Sequence, residues 1–311
     1  MVDLYLSFGV MFFLCGLAAF AGASLQARAR RAIVLTAEIV VCCGTAAYLN
    51  YLWDRPILSR LLPFSGAIIL GNWLPIIGAF FMGVCLKTNR VSAVSRAVLA
   101  GSMVGISGYS FVSPMLGSPP ACQPGAFDRT LDFQTTNSTC SSACAANLLK
   151  LHGIPATEEE MAELCLTRRG THWLGVYRGL KLKTAETDWD VNVEEIRKED
   201  LFSDIHGLGI LALSFHTLES GRIRDPEWGF AADVGHSVLV LRSHAPATLD
   251  IFDPAPDYGF ETWDEAVLAK VRNGILLRLI PRDGTEHTVP VDMKALRRGS
   301  SAYPPLMKYQ F

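Results

Sequence analysis

Four long apolar stretches fill the first 116 residues, and they constrain the fold more than any motif in the chain. A hydrocarbon core about 30 Å thick takes roughly 20 helical residues to cross. Leu4–Leu25, Ala32–Trp53, Leu61–Leu86 and Ala97–Leu116 each approach that length. Charge changes at the same place. Residues 1–120 hold 8 Lys/Arg and 3 Asp/Glu, which leaves 20 and 27 for the remainder, or about +5 against −7. All seven histidines lie beyond residue 150, and the cysteines divide evenly between the two parts. A chain of 311 residues has room for two structural units. The expected organisation is a four-span transmembrane anchor at 1–117 and a Pro-, Gly- and Ala-rich linker at 118–130. A water-soluble domain at 131–282 follows, then a tail at 283–311 that carries no strong signal.

The first span is not a secretory signal, because no Lys or Arg precedes it and further spans follow. The third carries Asn72 and Pro75, which neighbouring helices can accommodate by satisfying the freed backbone groups. Arg28, Arg30 and Arg31 stand between the first two spans, and Lys87, Arg90 and Arg96 between the last two. Positive loops stay cytoplasmic, so four spans place both termini and the soluble domain outside. The fourth span, with Gly, Ser and Pro throughout, is the weakest, and without it the domain would face the cytoplasm. Glu38 in the second span reads as a charge reaching the interface near Arg30 and Arg31 rather than as a transport path. The expectation is an integral protein of the bacterial inner membrane with its soluble domain extracytoplasmic.

In the soluble half, apolar residues at helical spacing begin near Cys140. Ser138 or Thr139 can cap that helix and Gly153 can end it. Thr157 and Glu160 form a capping box for a second helix reaching Leu166. Further helices are expected over Thr171–Leu182, from Val193 to about Leu201, and near Thr262–Val271. Short β-rich runs occupy Gly209–Phe215, Ser237–Arg242, Thr248–Phe252 and Ile275–Ile280. Helices first and antiparallel strands second make an α+β domain.

The stretch "QTTNSTCSSAC" sets Cys140 at the start of a helix, with Gln134 six residues upstream. Unsatisfied amides and the positive end of the helix dipole favour thiolate over thiol. A nucleophilic thiol also needs a base, and an imidazole base needs a third group to hold its ring and tautomer. "VGHSVLVL" places His236 at the mouth of a strand, and "LDIFDPA" ends the next strand at Asp253. The side chain of Gln134 and the backbone N–H of Cys140 would then form an oxyanion hole.

The order Gln, Cys, His, Asp is that of papain-like cysteine proteases. Residues 131–280 resemble more specifically the bacteriocin-processing, double-glycine-type cysteine peptidases. The resemblance rests on Gln134, "TCSSAC" at 139–144, "LHGI" at 151–154, "GTHWLGVYRGLKL" at 170–182, "GHSVLVL" at 235–241 and "FDPA" at 252–255. It implies a papain-like fold behind the transmembrane bundle, with Cys140 as nucleophile, His236 as base and acid, Asp253 as orienter and Gln134 in the oxyanion hole. It implies no metal or organic cofactor. The expected partners are a peptide or protein substrate, the lipid bilayer and a membrane export system, with no nucleic acid. Thr139 and Ser141 depart from the family's Asp and Gly, and no G-x-x-x-x-G-K-[ST] motif occurs.

Other readings stay open on sequence. Cys140 alone reads as a buried helix-start cysteine, and Cys144 as core, as the fallback nucleophile, or as a disulfide partner of Cys122 or Cys165. The 217–235 segment, with Trp228 and Phe230, reads as a substrate-side flap or a variable connection. The same triad suits an acyltransferase, and the same groove a non-catalytic peptide-binding module of an export or signalling complex.

Overall fold

The computed structural model of the chain describes residues 1–88, 92–123, 131–196, 207–215, 235–244, 248–268, 271–285 and 289–300. The expected flap at 217–235 falls outside these residues except for Gly235, as do His206, His216 and linker residues 124–130. Two compact units divide at Leu116 and Gly117.

The first unit holds α1 (Val2–Arg28), α2 (Arg31–Tyr51), α3 (Ile57–Leu61), α4 (Ala67–Leu70), α5 (Leu74–Lys87) and α6 (Ala93–Val112), with a 3-10 turn at Ser113–Met115. Among the described residues, four helical segments are long and apolar enough to cross a membrane: Val2–Arg28, Arg31–Tyr51, Ala67–Lys87 and Ala93–Met115. The third differs from the single helix expected at Leu61–Leu86, because α3 ends at Leu61 and the chain breaks again between Leu70 and Leu74. The second break is held by neighbouring side chains. Tyr48 on α2 donates its hydroxyl to Gly71 O at 2.6 Å and accepts the Trp73 N–H at 3.2 Å. Asn72 donates to Ser110 O on α6 at 2.9 Å. Backbone groups freed from a helix in an apolar surround need such partners.

α1 and α5 meet through small residues. A Cβ placed on Gly22 would lie 2.2 Å from Phe80 O, and one on Gly83 would lie 2.0 Å from Ala19 O. Only hydrogen at these positions lets the two backbones touch. Gly101, Gly105 and Gly108 on α6, by contrast, have no described atom within 4 Å of such a Cβ.

The second unit begins with α7 (Cys140–Leu151), α8 (Glu158–Leu164) and α9 (Trp173–Lys183). Thr157 caps α8 by accepting the Glu160 N–H at 3.2 Å, and Gly153 takes φ +75° just beyond α7. Leu166, where α8 was expected to end, adopts φ +57° after the helix has stopped. Strands β1 (Trp189–Ile196), β2 (Gly209–Phe215), β3 (Gly235–His244), β4 (Thr248–Asp253), β5 (Gly259–Trp263) and β6 (Val271–Pro281) form one antiparallel sheet in the order β1-β6-β2-β3-β4-β5. Helices first and sheet second is the α+β order expected.

Two expected elements, and the tail, need correction. The helix from Val193 is a strand through Ile196: Trp189, Val191 and Val193 alternate along β1 and pair with Pro281, Leu279 and Leu277 of β6. Period-two burial on a long partner strand outweighs the helix propensity of the two glutamates. The helix near Thr262–Val271 is β5 followed by a single turn, α10 (Glu265–Leu268), because Phe260 and Trp263 pair with Phe252 and Leu249. The tail contains α11 (Met293–Ser300), started by Asp292, whose carboxylate accepts the Lys294 and Ala295 N–H groups at 3.0 and 3.1 Å.

One face of the sheet buries Leu211, Leu213, Val238, Val240, Leu249, Ile251 and Trp263 with Val267 and Leu268 of α10. The alternate residues of β3, beginning with Ser237, face α7. α7 is therefore laid across the sheet with its first turn at the end where β3 starts and β4 finishes.

Gly83→Leu should destabilise the first unit by about 1–3 kcal/mol through overpacking, read as earlier thermal unfolding in detergent. Gly101→Leu, facing open space, should leave the same transition unmoved.

Candidate active site

α7 starts at Cys140 because Thr139 leaves the helical backbone region, but Thr139 does not cap the helix with its side chain. Its hydroxyl donates to Thr136 O at 2.9 Å, closing the preceding loop on itself. The expected side-chain cap from Ser138 or Thr139 is thus absent, and the amides of the first turn are left for another acceptor.

The Cys140 sulfur lies among donors. The His236 ring, the Ser237 backbone N–H and the Ser141 hydroxyl all lie within electrostatic reach of it. Burial pushes the thiol up, while the His236 hydrogen bond and charge, aided by the two serines, bring it down past its ordinary value. His236 Nε2 lies 2.8 Å from Asp253 Oδ2, which leaves Nδ1 as the ring nitrogen for the sulfur. Asp253 is fully buried, and its other oxygen accepts the Ala255 N–H at 2.8 Å. Burial alone would discharge the imidazole, but the Asp253 charge and hydrogen bond, with the sulfur beyond, raise His236 to about 10. The pair therefore favours thiolate and imidazolium between the lowered thiol value and the raised imidazole value. Such a pair carries both a nucleophile and a proton to return.

Gln134 reaches the same place. Its backbone N–H donates to Pro254 O at 2.7 Å, fastening its loop to the turn after Asp253. Its Nε2 donates to Thr136 O at 3.0 Å, which leaves the second amide hydrogen available, and its buried Oε1 has no hydrogen-bond partner among the described residues. Cys140, His236, Asp253 and Gln134 are thus gathered at one end of the sheet, from α7, β3, β4 and the loop before α7.

Cys144, one turn further on, is a different thiol. It is buried, donates to Ser237 O at 3.4 Å, and is pushed well above the ordinary range by burial and by the neighbouring Cys140 and Asp253. Burial likewise raises Cys165 to about 12, and all eight cysteines are free thiols, so of the readings open for Cys144 the structure has the core one and not the disulfide with Cys122 or Cys165. Among the described residues no group of three His, Cys, Asp or Glu is placed to hold a metal ion.

Three residues in the site carry no sequence-level assignment. Ser237 interrupts an apolar strand, and a lone hydroxyl in "HSVLVL" was the available signal. Glu158, buried at the start of α8, accepts the Thr135 N–H at 2.8 Å, so it steadies the loop between Gln134 and Cys140. Glu261 on β5 accepts the Trp263 indole N–H at 2.7 Å and lies within electrostatic reach of Asp253 and His236. No local pattern marks either glutamate.

Comparison with solved structures finds the peptidase domain of Streptococcus ComA, a bi-functional ABC transporter involved in a quorum sensing pathway. It is 21% identical over 50% of this chain and 99% of that one, with a TM-score of 0.37. The peptidase domain of Streptococcus mutans ComA is 20% identical over 49% and 99%, with a TM-score of 0.31. No protein-family model matches the chain, nor does any curated protein.

With iodoacetamide on the folded protein, Cys140 should be alkylated at neutral pH with a midpoint below that of an ordinary thiol, while Cys144 and Cys165 stay unmodified. Peptide mapping by mass spectrometry reads the outcome. Equal labelling of Cys140 and Cys144 would contradict the electrostatic assignment.

Proposed function

We propose that the chain is a membrane-anchored cysteine peptidase with a papain-like domain. The observation that carries this reading is the placement of His236 between the Cys140 sulfur and the buried Asp253 carboxylate. Its second support is the absence of a side-chain cap on α7, which leaves amides beside the sulfur.

In this mechanism the Cys140 thiolate attacks the scissile carbonyl carbon. The carbonyl oxygen takes up the negative charge and is received by the Cys140 backbone N–H and the free amide hydrogen of Gln134. The His236 imidazolium gives its Nδ1 proton to the leaving amine, the C–N bond breaks, and a thioester remains on Cys140. Neutral His236 then takes a proton from water, the hydroxyl adds to the thioester, and the acid product leaves as thiolate and imidazolium are restored. Asp253 stays ionised throughout, holding the ring through Nε2. No step calls for a metal or organic cofactor.

The substrate is a peptide or protein that reaches the open side of Cys140. The four long apolar helices serve as the anchor in this reading, and the basic loops around Arg28–Arg31 and at Lys87 and Arg96 support an extracytoplasmic domain. A site fixed at a membrane surface suits a peptide emerging from an export system.

Cys140→Ala and His236→Ala should each lower peptide turnover by roughly 10³-fold or more, with Cys144→Ala close to wild type. Unchanged turnover in Cys140→Ala rules the reading out. Peptide hydrolysis should also fall as pH rises through about 10, since His236 acts as an acid only in the protonated form present below that value. For sidedness, a membrane-impermeant maleimide applied to intact spheroplasts should modify Cys140, whereas labelling only after lysis would place the domain in the cytoplasm.

A further inference from the structure

Three glutamates stand side by side at the start of α8, and the fold treats each differently. Glu159 is exposed, and Glu160 pairs with Lys183 at 2.8 Å. Glu158 is buried, at 2% exposure, and its Oε1 accepts the Thr135 N–H at 2.8 Å from 23 positions away in the chain. A carboxylate withdrawn from water is costly, and it persists where a donor meets it. The peptidase mechanism above gives this group no part.

Thr135 directly follows Gln134, and both peptide planes that flank Gln134 are held by hydrogen bonds. The plane before it is fixed by the Gln134 N–H, which donates to Pro254 O at 2.7 Å. The plane after it is fixed by the Thr135 N–H on Glu158. Planar peptides leave only φ and ψ free at each residue, so holding both planes sets the backbone of Gln134 and the direction of its Cβ. The Thr136 N–H then turns to Thr139 Oγ1 at 3.3 Å, and Thr136 O receives Gln134 Nε2 at 3.0 Å. We propose that Glu158 is a positioning residue that aims the Gln134 side chain at the oxyanion by holding the Thr135 amide. The role rests on Gln134 serving in the oxyanion hole, as proposed above.

The other hold on Thr135 is weaker. Its hydroxyl accepts the Gln123 N–H at 3.2 Å, but Gln123 is exposed. A neutral bond open to water contributes little beside a buried one to a carboxylate. Gln134 is thus aimed from two sides, by the turn after Asp253 through Pro254 and by α8 through Glu158. Without Glu158 the second plane is free to rotate, and a shift of about 1 Å in a catalytic group can cost about 10²-fold in rate. The Pro254 bond remains, so the expected loss is smaller than that.

The test compares two reactions of Cys140 in the full chain. Acylation by p-nitrophenyl acetate passes through an oxyanion before p-nitrophenolate leaves, whereas alkylation by iodoacetamide displaces iodide and forms no oxyanion. Gln134→Ala should slow acylation by about 10²-fold and Glu158→Ala by about tenfold, with alkylation keeping its wild-type rate in both. The double variant should match Gln134→Ala, because Glu158 acts only through that side chain. A Glu158→Ala loss that persists undiminished in the Gln134→Ala background, or that alkylation shares, overturns the proposal. Glu158→Gln keeps an acceptor and should recover most of the acylation rate. If Glu158→Ala unfolds, Glu158→Gln and the similarly sized Glu158→Met decide: the first should acylate faster, and equal rates overturn the proposal. Acylation slowed by Gln134→Ala but not by Glu158→Ala sinks the positioning role alone. The full expected pattern in a protein that cleaves no peptide supports the positioning role and sinks the peptidase reading alone. Acylation that Gln134→Ala leaves unchanged removes the oxyanion hole and the positioning role together.

Discussion

The second unit is organised around a carboxylate that has no access to water. Asp253 ends β4 at 0% exposure, and a charge placed there is costly unless each carboxylate oxygen finds a donor. The Ala255 N–H supplies one and His236 Nε2 the other. Removing either donor would leave a buried charge uncompensated. The imidazole is thereby held in one orientation with its second nitrogen turned toward the start of α7. The cost of burying Asp253 and the basicity of His236 are one interaction seen from its two ends.

The loop before α7 depends on that arrangement and is fastened along its whole length. Asp132 accepts from Lys150 at 2.5 Å, while its backbone N–H and carbonyl pair with the Asn147 side chain, so the loop's first residues are tied to the last turns of α7. Glu158 holds Thr135, and Pro254 O holds Gln134. A further hydroxyl chain links Ser142 on α7 to Thr167 at 2.7 Å and Thr167 to Thr171 at 2.7 Å, beside the left-handed Leu166. These contacts come from three different elements, so the position of Gln134 relative to Cys140 is over-determined. Precise placement of this kind is what transition-state stabilisation needs.

The first unit obeys another constraint. Its exposed surface is largely apolar, so burial of apolar area does not separate inside from outside as it does in the second unit. Association there rests on close backbone approach, as at Gly22 and Gly83, and on polar groups such as Tyr48 and Asn72 that repair the break before α5. A Cβ placed on Gly101, Gly105 or Gly108 of α6 would meet no described atom within 4 Å, although these glycines belong to the same residue class. Residue type alone therefore does not say which small residues make contacts.

Features governed by neighbours a few residues away were legible in the sequence. They include the presence of four long apolar segments, the start of α7 at Cys140 and its stop at Gly153, the Thr157 cap, and the order of Gln134, Cys140, His236 and Asp253. Periodicity and capping are local, so a window of a dozen residues contains their causes. β1 was misjudged because its strand character comes from β6, some 80 residues later, and β5 because of its pairing with β4. The bond between Ser141 and Ser237, the grip of Glu158 on Thr135 and the nearness of Glu261 to His236 arise only when distant segments close on one another. The order of chemical groups along the chain was a property of the sequence. Their spacing, burial and charge state were decided by the sheet, because desolvation and hydrogen-bond geometry exist only once the segments have packed.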